Sequence, residues 1–213
     1  MLPSRVAHEI RTPLGVFMGA LTQLESQCAS EPKTFELARR AVAQLARLSD
    51  RLSLLARAAG GFADGLEVQP VTMAGAMTQA VNLVGESRRR RGVTVGTAGT
   101  EIDARVAADP RLLVAAIAEL VDNAVRHATS RVDVSIAVRD GHAIVTVDDD
   151  GAGLDEERRQ ALFQQTPGHG RPGGLGIGTW LAAEIVGRFS GRVDAPVSPG
   201  VTRFELSVPT VRA

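Results

Sequence analysis

The 213 residues carry 24 Lys and Arg against 24 Asp and Glu, so the formal charge is zero, and 44% of the chain is hydrophobic. That balance argues against a nucleic-acid groove or a polybasic anchor, and the apolar fraction is ample for a buried core. The single cysteine, Cys28, excludes an internal disulfide and a cysteine-based zinc site, and it fits a reducing compartment.

In chain order, Val6, Ile10, Leu14, Phe17, Leu21 and Leu24 recur at three- and four-residue spacing, the apolar seam of a helix in a bundle. After the polar break CASEPK the pattern resumes from Phe35 through Val42, Leu45, Leu48 and Leu52 to Leu55, with Pro32 suited to an opening turn. AAGGFADG at 58–65 stops it. Residues 1–61 therefore predict a helical hairpin whose open seam would be covered by a second copy, completing a dimeric four-helix bundle.

Residues 62–213 alternate strands and helices. LEVQPV predicts a short strand, and a helix follows across 72–91; GVTVGTA and DARVAA predict strands. Asp109 as N-cap with Pro110 at the first helical position opens a helix through RLLVAAIAELVDNAVRHA. RVDVSIAVRD and HAIVTVDDD, joined at Asp140 and Gly141, predict a hairpin. A short helix at 155–163, a Gly- and Pro-rich loop, a helix at 175–189 and two closing strands, GRVDAP and VTRFELSVP, complete a two-layer α+β sandwich. No apolar run is long enough to span a bilayer, and the first residues lack the apolar core of a signal peptide, so a cytoplasmic location is expected.

Three segments in the second part carry chemistry. VDDDGAGL sets three aspartates at the end of a strand, where mutual repulsion costs stability unless a ligand or cation relieves it; Gly151 and Gly153 would let a flat ligand approach the backbone. An acidic surface turn is the plainer alternative, and the EF-hand spacing is missing. In AELVDNAVRHA, Glu119, Asn123 and Arg126 share one helical face. Glu and Asn oxygens suit Mg²⁺ and Arg suits phosphate, although a solvated polar face reads equally well. TPGHGRPGGLGIGTWL leads a glycine-rich loop into a helix N-terminus, a phosphate cradle or simply a flexible loop. It is neither a Walker A loop nor a dinucleotide fingerprint.

The order of these segments is more specific than any one of them. A Glu/Asn helix, Asp-x-Gly-x-Gly after a strand, a Phe-containing short helix and a Gly-x-Gly-x-Gly helix entry resemble the Bergerat-type (GHKL) ATP-binding fold. HEIRTPL at the start of the hairpin resembles the phosphoacceptor motif of two-component sensor histidine kinases. The resemblance spans nearly the whole chain.

That resemblance implies a protein-histidine kinase that uses ATP and Mg²⁺. His8 matches the phosphorylated histidine, with Glu9 placed to accept its N–H and Thr12 placed for dephosphorylation of the partner. Asp149 matches the acceptor for the adenine amino group, and Gly151 and Gly153 would line the base. Asn123 matches the Mg²⁺ ligand, and Arg126 a basic position near the phosphates. Phe163 and the glycines Gly174, Gly176 and Gly178 match the remaining nucleotide motifs. Glu119 departs from the Asn common at its position, which leaves it either a metal ligand or a base for hydrolysis. The short lid between Phe163 and Gly173 implies fast nucleotide exchange.

The implied partners are a second copy of the chain, the receiver domain of a response regulator, and an upstream sensor domain or sensor partner, because only seven residues precede His8. The chain would then be cytoplasmic, on its own or as part of a membrane-bound sensor. Pro13 should weaken or bend the helix just beyond His8 and act as a hinge. The rival readings are a GHKL-fold ATPase or a degenerate kinase acting as a dimeric scaffold.

Overall fold

The computed structural model describes residues 66–85, 91–154, 177–198 and 200–211. It also describes Arg159 and, in the first sixty residues, Phe17, Met18, Gly19, Thr22, Leu24, Phe35, Ala38, Val42, Leu45, Ala46 and Ser49. The chain divides into two compact units, Met1–Leu66 and Glu67–Ala213. In the first unit the described residues are all helical. Val42 is buried, whereas the seam residues Phe17, Leu24 and Leu45 are 53%, 49% and 48% exposed on the single chain.

The second unit runs β1 (Gln69–Thr72), α1 (Met73–Leu83), β2 (Thr94–Ala98), β3 (Arg105–Ala108), α2 (Pro110–His127), β4 (Arg131–Arg139) and β5 (His142–Asp149). It ends with α3 (Ile177–Gly187), β6 (Arg192–Asp194) and β7 (Thr202–Pro209). Five strands form one sheet in the order β2-β4-β5-β7-β6, and β1 and β3 form a separate antiparallel pair. Only β2 and β4 run parallel; every other neighbouring pair in the large sheet is antiparallel. The helices pack against this sheet, with α2 in contact with both α1 and α3. This is a two-layer α+β sandwich, as the alternation of apolar strands and amphipathic helices predicts.

Local chemistry accounts for the helix that matters most. The Asp109 carboxylate accepts the backbone N–H groups of Arg111 at 2.9 Å and Leu112 at 3.3 Å, and Pro110 fills the position where an N–H would go unused. Its other oxygen accepts the Glu67 N–H at 3.3 Å, which ties the entrance of the unit to the start of α2. Leu112, Leu113, Ala116, Ile117, Leu120 and Ala124, the predicted apolar face, are fully buried.

The β4–β5 hairpin closes through Asp140 and Gly141 with φ of 49° and 72°, the left-handed pair of a type I′ turn. Along β5, Ala143, Val145, Val147 and Asp149 alternate onto the helix-covered face. Register sets Val147 beside Val134 and Phe204, and Asp149 beside Val132 and Thr202. The inward row is therefore apolar until its last member, which is a carboxylate.

Candidate functional site

Three consecutive aspartates end β5, and each meets a different environment. Asp148 points away from the helices and is held by Arg203 from β7, with both Nε–Oδ1 and guanidinium–Oδ2 separations at 2.7 Å. Asp150 accepts the backbone N–H groups of Thr129 at 2.8 Å, Ser130 at 3.0 Å and Arg131 at 3.1 Å, and the Ser130 hydroxyl at 2.6 Å. Those donors hold its carboxyl well below the usual carboxylate range. The expected repulsion among the three is thus relieved by the protein itself for two of them. No ligand or cation is needed to explain Asp148 or Asp150, which corrects the sequence-based argument.

Asp149 is different. It is 2% exposed, and burial raises its pKa, opposed by the Gly151 N–H and the Thr202 hydroxyl. Oδ1 accepts the Gly151 N–H at 2.9 Å, but no hydrogen bond reaches Oδ2. A buried acceptor without a donor costs about 1–3 kcal/mol, a cost that a ligand N–H arriving at that oxygen would remove. A buried acceptor left open in this way fits a ligand carrying an amino group.

The neighbouring glycines have two separate causes. A Cβ on Gly151 would lie 2.5 Å from Asp149 Oδ1 and 2.6 Å from the carbonyl oxygen of His127, the last residue of α2. The bare backbone here is required by the approach of α2, whatever a ligand needs, and this adds a reason the sequence does not reveal. Gly153 has open space around it but a φ of +78°, which a side chain would strain. A cavity of about 190 Å³ opens where the glycine loop meets the β6–β7 connection, lined by Gly153, Leu154, Arg159, Val197 and Thr202 among others.

On α2, Asn123 and Arg126 are half-buried, in the same helix whose end touches the glycine loop. Arg126 turns back along α2 to Asp122, with Nε 3.2 Å from the carboxylate and 3.3 Å from the Asp122 carbonyl oxygen. That i,i+4 partner is legible in the sequence but was not anticipated. Glu119 lies one turn before Asn123 and is also half-buried. No cluster of three His, Cys, Asp or Glu able to hold a metal occurs among the described residues. An Mg²⁺ ion here would draw most of its ligands from phosphate and water, the usual habit of that cation.

Gly178 is buried in the first turn of α3, followed by buried Thr179. His8, Glu9, Thr12, Pro13, Phe163, Gly174 and Gly176 lie outside the described residues, as does most of the short helix expected at 155–163. Thr202 is the site residue that sequence reasoning missed. Its signal was the alternation of VTRFELSVP, which sets Thr202 on the same face as Phe204, Leu206 and Val208.

Comparison with known proteins agrees with this architecture. Residues 108–212 match the family model described as histidine kinase-, DNA gyrase B- and HSP90-like ATPase, which defines the class of the second unit. Residues 4–61 match the His Kinase A (phospho-acceptor) domain. The sensor histidine kinase ZraS of Klebsiella oxytoca is 31% identical over 93% of this chain and 43% of its own length. The sensor protein PhoQ of Escherichia coli K12 is 28% identical over 94% of this chain and 41% of its own. Full-length ShkA, solved in complex with AMPPNP, superposes with a TM-score of 0.76 at 22% identity, covering 99% of this chain and 46% of that one. The catalytic domain of the histidine kinase ThkA shares the fold with a TM-score of 0.61 at 19% identity, covering 67% of this chain and 95% of that one. The chain belongs to the two-component sensor histidine kinases, with a catalytic domain of the GHKL class. It spans less than half the length of ZraS and PhoQ.

Proposed function

We propose that this chain is a kinase core that autophosphorylates His8 from Mg-ATP and passes the phosphoryl group to an aspartate on the receiver domain of a response regulator. The observation that carries the nucleotide half is the buried Asp149 with its unpartnered Oδ2, beside a glycine loop at the end of β5. Asp149 accepts the adenine amino group there, Thr202 stands next to it, and Gly151 and Gly153 border the base. Asn123, with Glu119, faces the Mg²⁺ side, and Arg126 can leave Asp122 for a phosphate. Gly178, at the start of α3, and with it Gly174 and Gly176 are assigned to the phosphates, and Phe163 to the nucleotide, from the motifs they match.

The His8 half rests on the HEIRTPL motif within the phospho-acceptor match. A neutral imidazole is a capable nucleophile near pH 7, and Glu9 accepts the N–H of the nitrogen that does not attack. ATP supplies the phosphoryl group, and Mg²⁺ neutralises charge on it. Thr12, four residues after His8 in the motif, suits the reverse task of removing the phosphoryl group from the regulator. The half-exposed Phe17, Leu24 and Leu45 support a homodimer, since a second hairpin would bury them. No described helix is long and apolar enough to cross a membrane.

The test is incubation with γ-labelled ATP. Wild type should acquire acid-labile, base-stable label, and His8→Gln and Asn123→Ala should acquire none. Label retained by His8→Gln would overturn the assignment of the acceptor, and hydrolysis without any labelling of wild type would favour a plain ATPase.

A further inference from the structure

We propose that Asp150 is a positioning residue for nucleotide binding, fixing the spacing between Asp149 on the sheet and Asn123 on α2. The inference rests on the reading above, in which those two residues hold opposite ends of one nucleotide. Asp150 follows Asp149 directly, and everything it binds lies in residues 129–131, immediately beyond the end of α2. Its carboxylate takes the N–H groups of Thr129, Ser130 and Arg131 and the Ser130 hydroxyl. Its backbone adds two more links: its carbonyl oxygen accepts the Thr129 hydroxyl at 3.1 Å, and its N–H donates to the Arg131 carbonyl at 3.2 Å.

Four donors on one carboxylate fill its acceptor capacity, so Asp150 has nothing left to offer a ligand. Asp149 next door is the opposite case, with one oxygen unused. The contact is also close enough to exclude a methyl group, because the His127 carbonyl occupies the place of a Cβ on Gly151. The end of the helix bearing Asn123 and the start of the glycine loop are therefore clamped by hydrogen bonds on one side and by van der Waals contact on the other. A ligand that must reach both ends gains affinity from such a preset distance, because it need not order the two elements itself. A ligand held by the adenine end alone gains little.

The full chain can test this by calorimetry with ATP, measured with and without Mg²⁺. In wild type the ion should strengthen binding. In Asp150→Ala that gain should fall by about tenfold, the lower end of what losing the supporting hydrogen bonds around a metal site costs. Metal-free affinity should fall by less, because Arg126 is then the contact that α2 makes with the phosphates. Asp150→Asn keeps an oxygen for the three backbone donors and should restore most of the gain. Ser130→Ala, which removes only the hydroxyl contact, should show the same unequal loss at smaller size, and it serves if Asp150→Ala does not fold. Folded variants that keep the whole Mg²⁺ gain, or that lose metal-free and metal-bound affinity equally, would overturn the proposal. A wild-type chain that bound ATP no better with Mg²⁺ would instead remove the reading of Asn123, and the proposal with it.

Discussion

Replacing Asp149 by Asn separates the cost of a buried carboxylate from its use. Without nucleotide, Oδ2 has no donor and the charge sits at 2% exposure, so the ionised side chain opposes folding. The amide removes the charge and retains an oxygen for the Gly151 N–H. At pH 7 the nucleotide-free variant should be the more stable of the two because the buried charge is gone, even though its N–H₂ then occupies the place of Oδ2. The sign with pH follows from the direction of the shift. The folded pKa of Asp149 lies above the ordinary 3.8, so its contribution is most favourable below that value and is lost as pH rises through the raised pKa. The stability gap between variant and wild type should open over that interval and close again in acid, where both side chains are neutral. Trp180 is the only tryptophan and lies in α3, so its fluorescence during denaturant unfolding reports the second unit. Nucleotide affinity should move the other way. The amide N–H₂ would face the ligand's amino group, and losing a charge-assisted acceptor costs about 2–3 kcal/mol, or roughly 30- to 150-fold in Kd. Wild-type affinity in Asp149→Asn would refute the acceptor role. Identical stability of the two proteins from acid to neutral pH would refute the burial cost.

Three further outcomes concern the same loop. Asp150 has a lowered folded pKa, so the stability it contributes is present above 3.8 and is lost as pH falls through the folded value; the gap between wild type and Asp150→Ala, read by unfolding at stepped pH, should therefore shrink in acid, opposite to Asp149. Gly151→Ala sets a methyl group against the His127 carbonyl and should cost about 1–3 kcal/mol as overpacking, together with nucleotide affinity. Gly153→Ala meets no atoms and should cost about 1–2 kcal/mol from its left-handed backbone alone. Equal losses of affinity in the two alanine variants would argue against the steric account of Gly151.

The elements of the second unit are written locally. Asp109 and Pro110 start α2 because a carboxylate can cap free N–H groups and a proline lacks one to waste. Asp140 and Gly141 turn the β4–β5 hairpin because both adopt positive φ. The apolar spacing of α2 and the alternation of β5 fix which faces are buried, since period and face are properties of neighbouring residues. The order of the motifs carried the family. Tertiary structure decided what each member of the loop does. Only the β4–β5–β7 register gives Asp148 its arginine and sets Thr202 beside Asp149. Only the meeting of α2 with the loop gives Asp150 its four donors and Gly151 its reason to lack a side chain. The parallel pairing of β2 with β4 is likewise silent in the sequence, because β2 precedes α2 in the chain and meets β4 only across the folded unit. Periodicity states which way a side chain points, whereas the atoms it meets there arrive from segments tens of residues away.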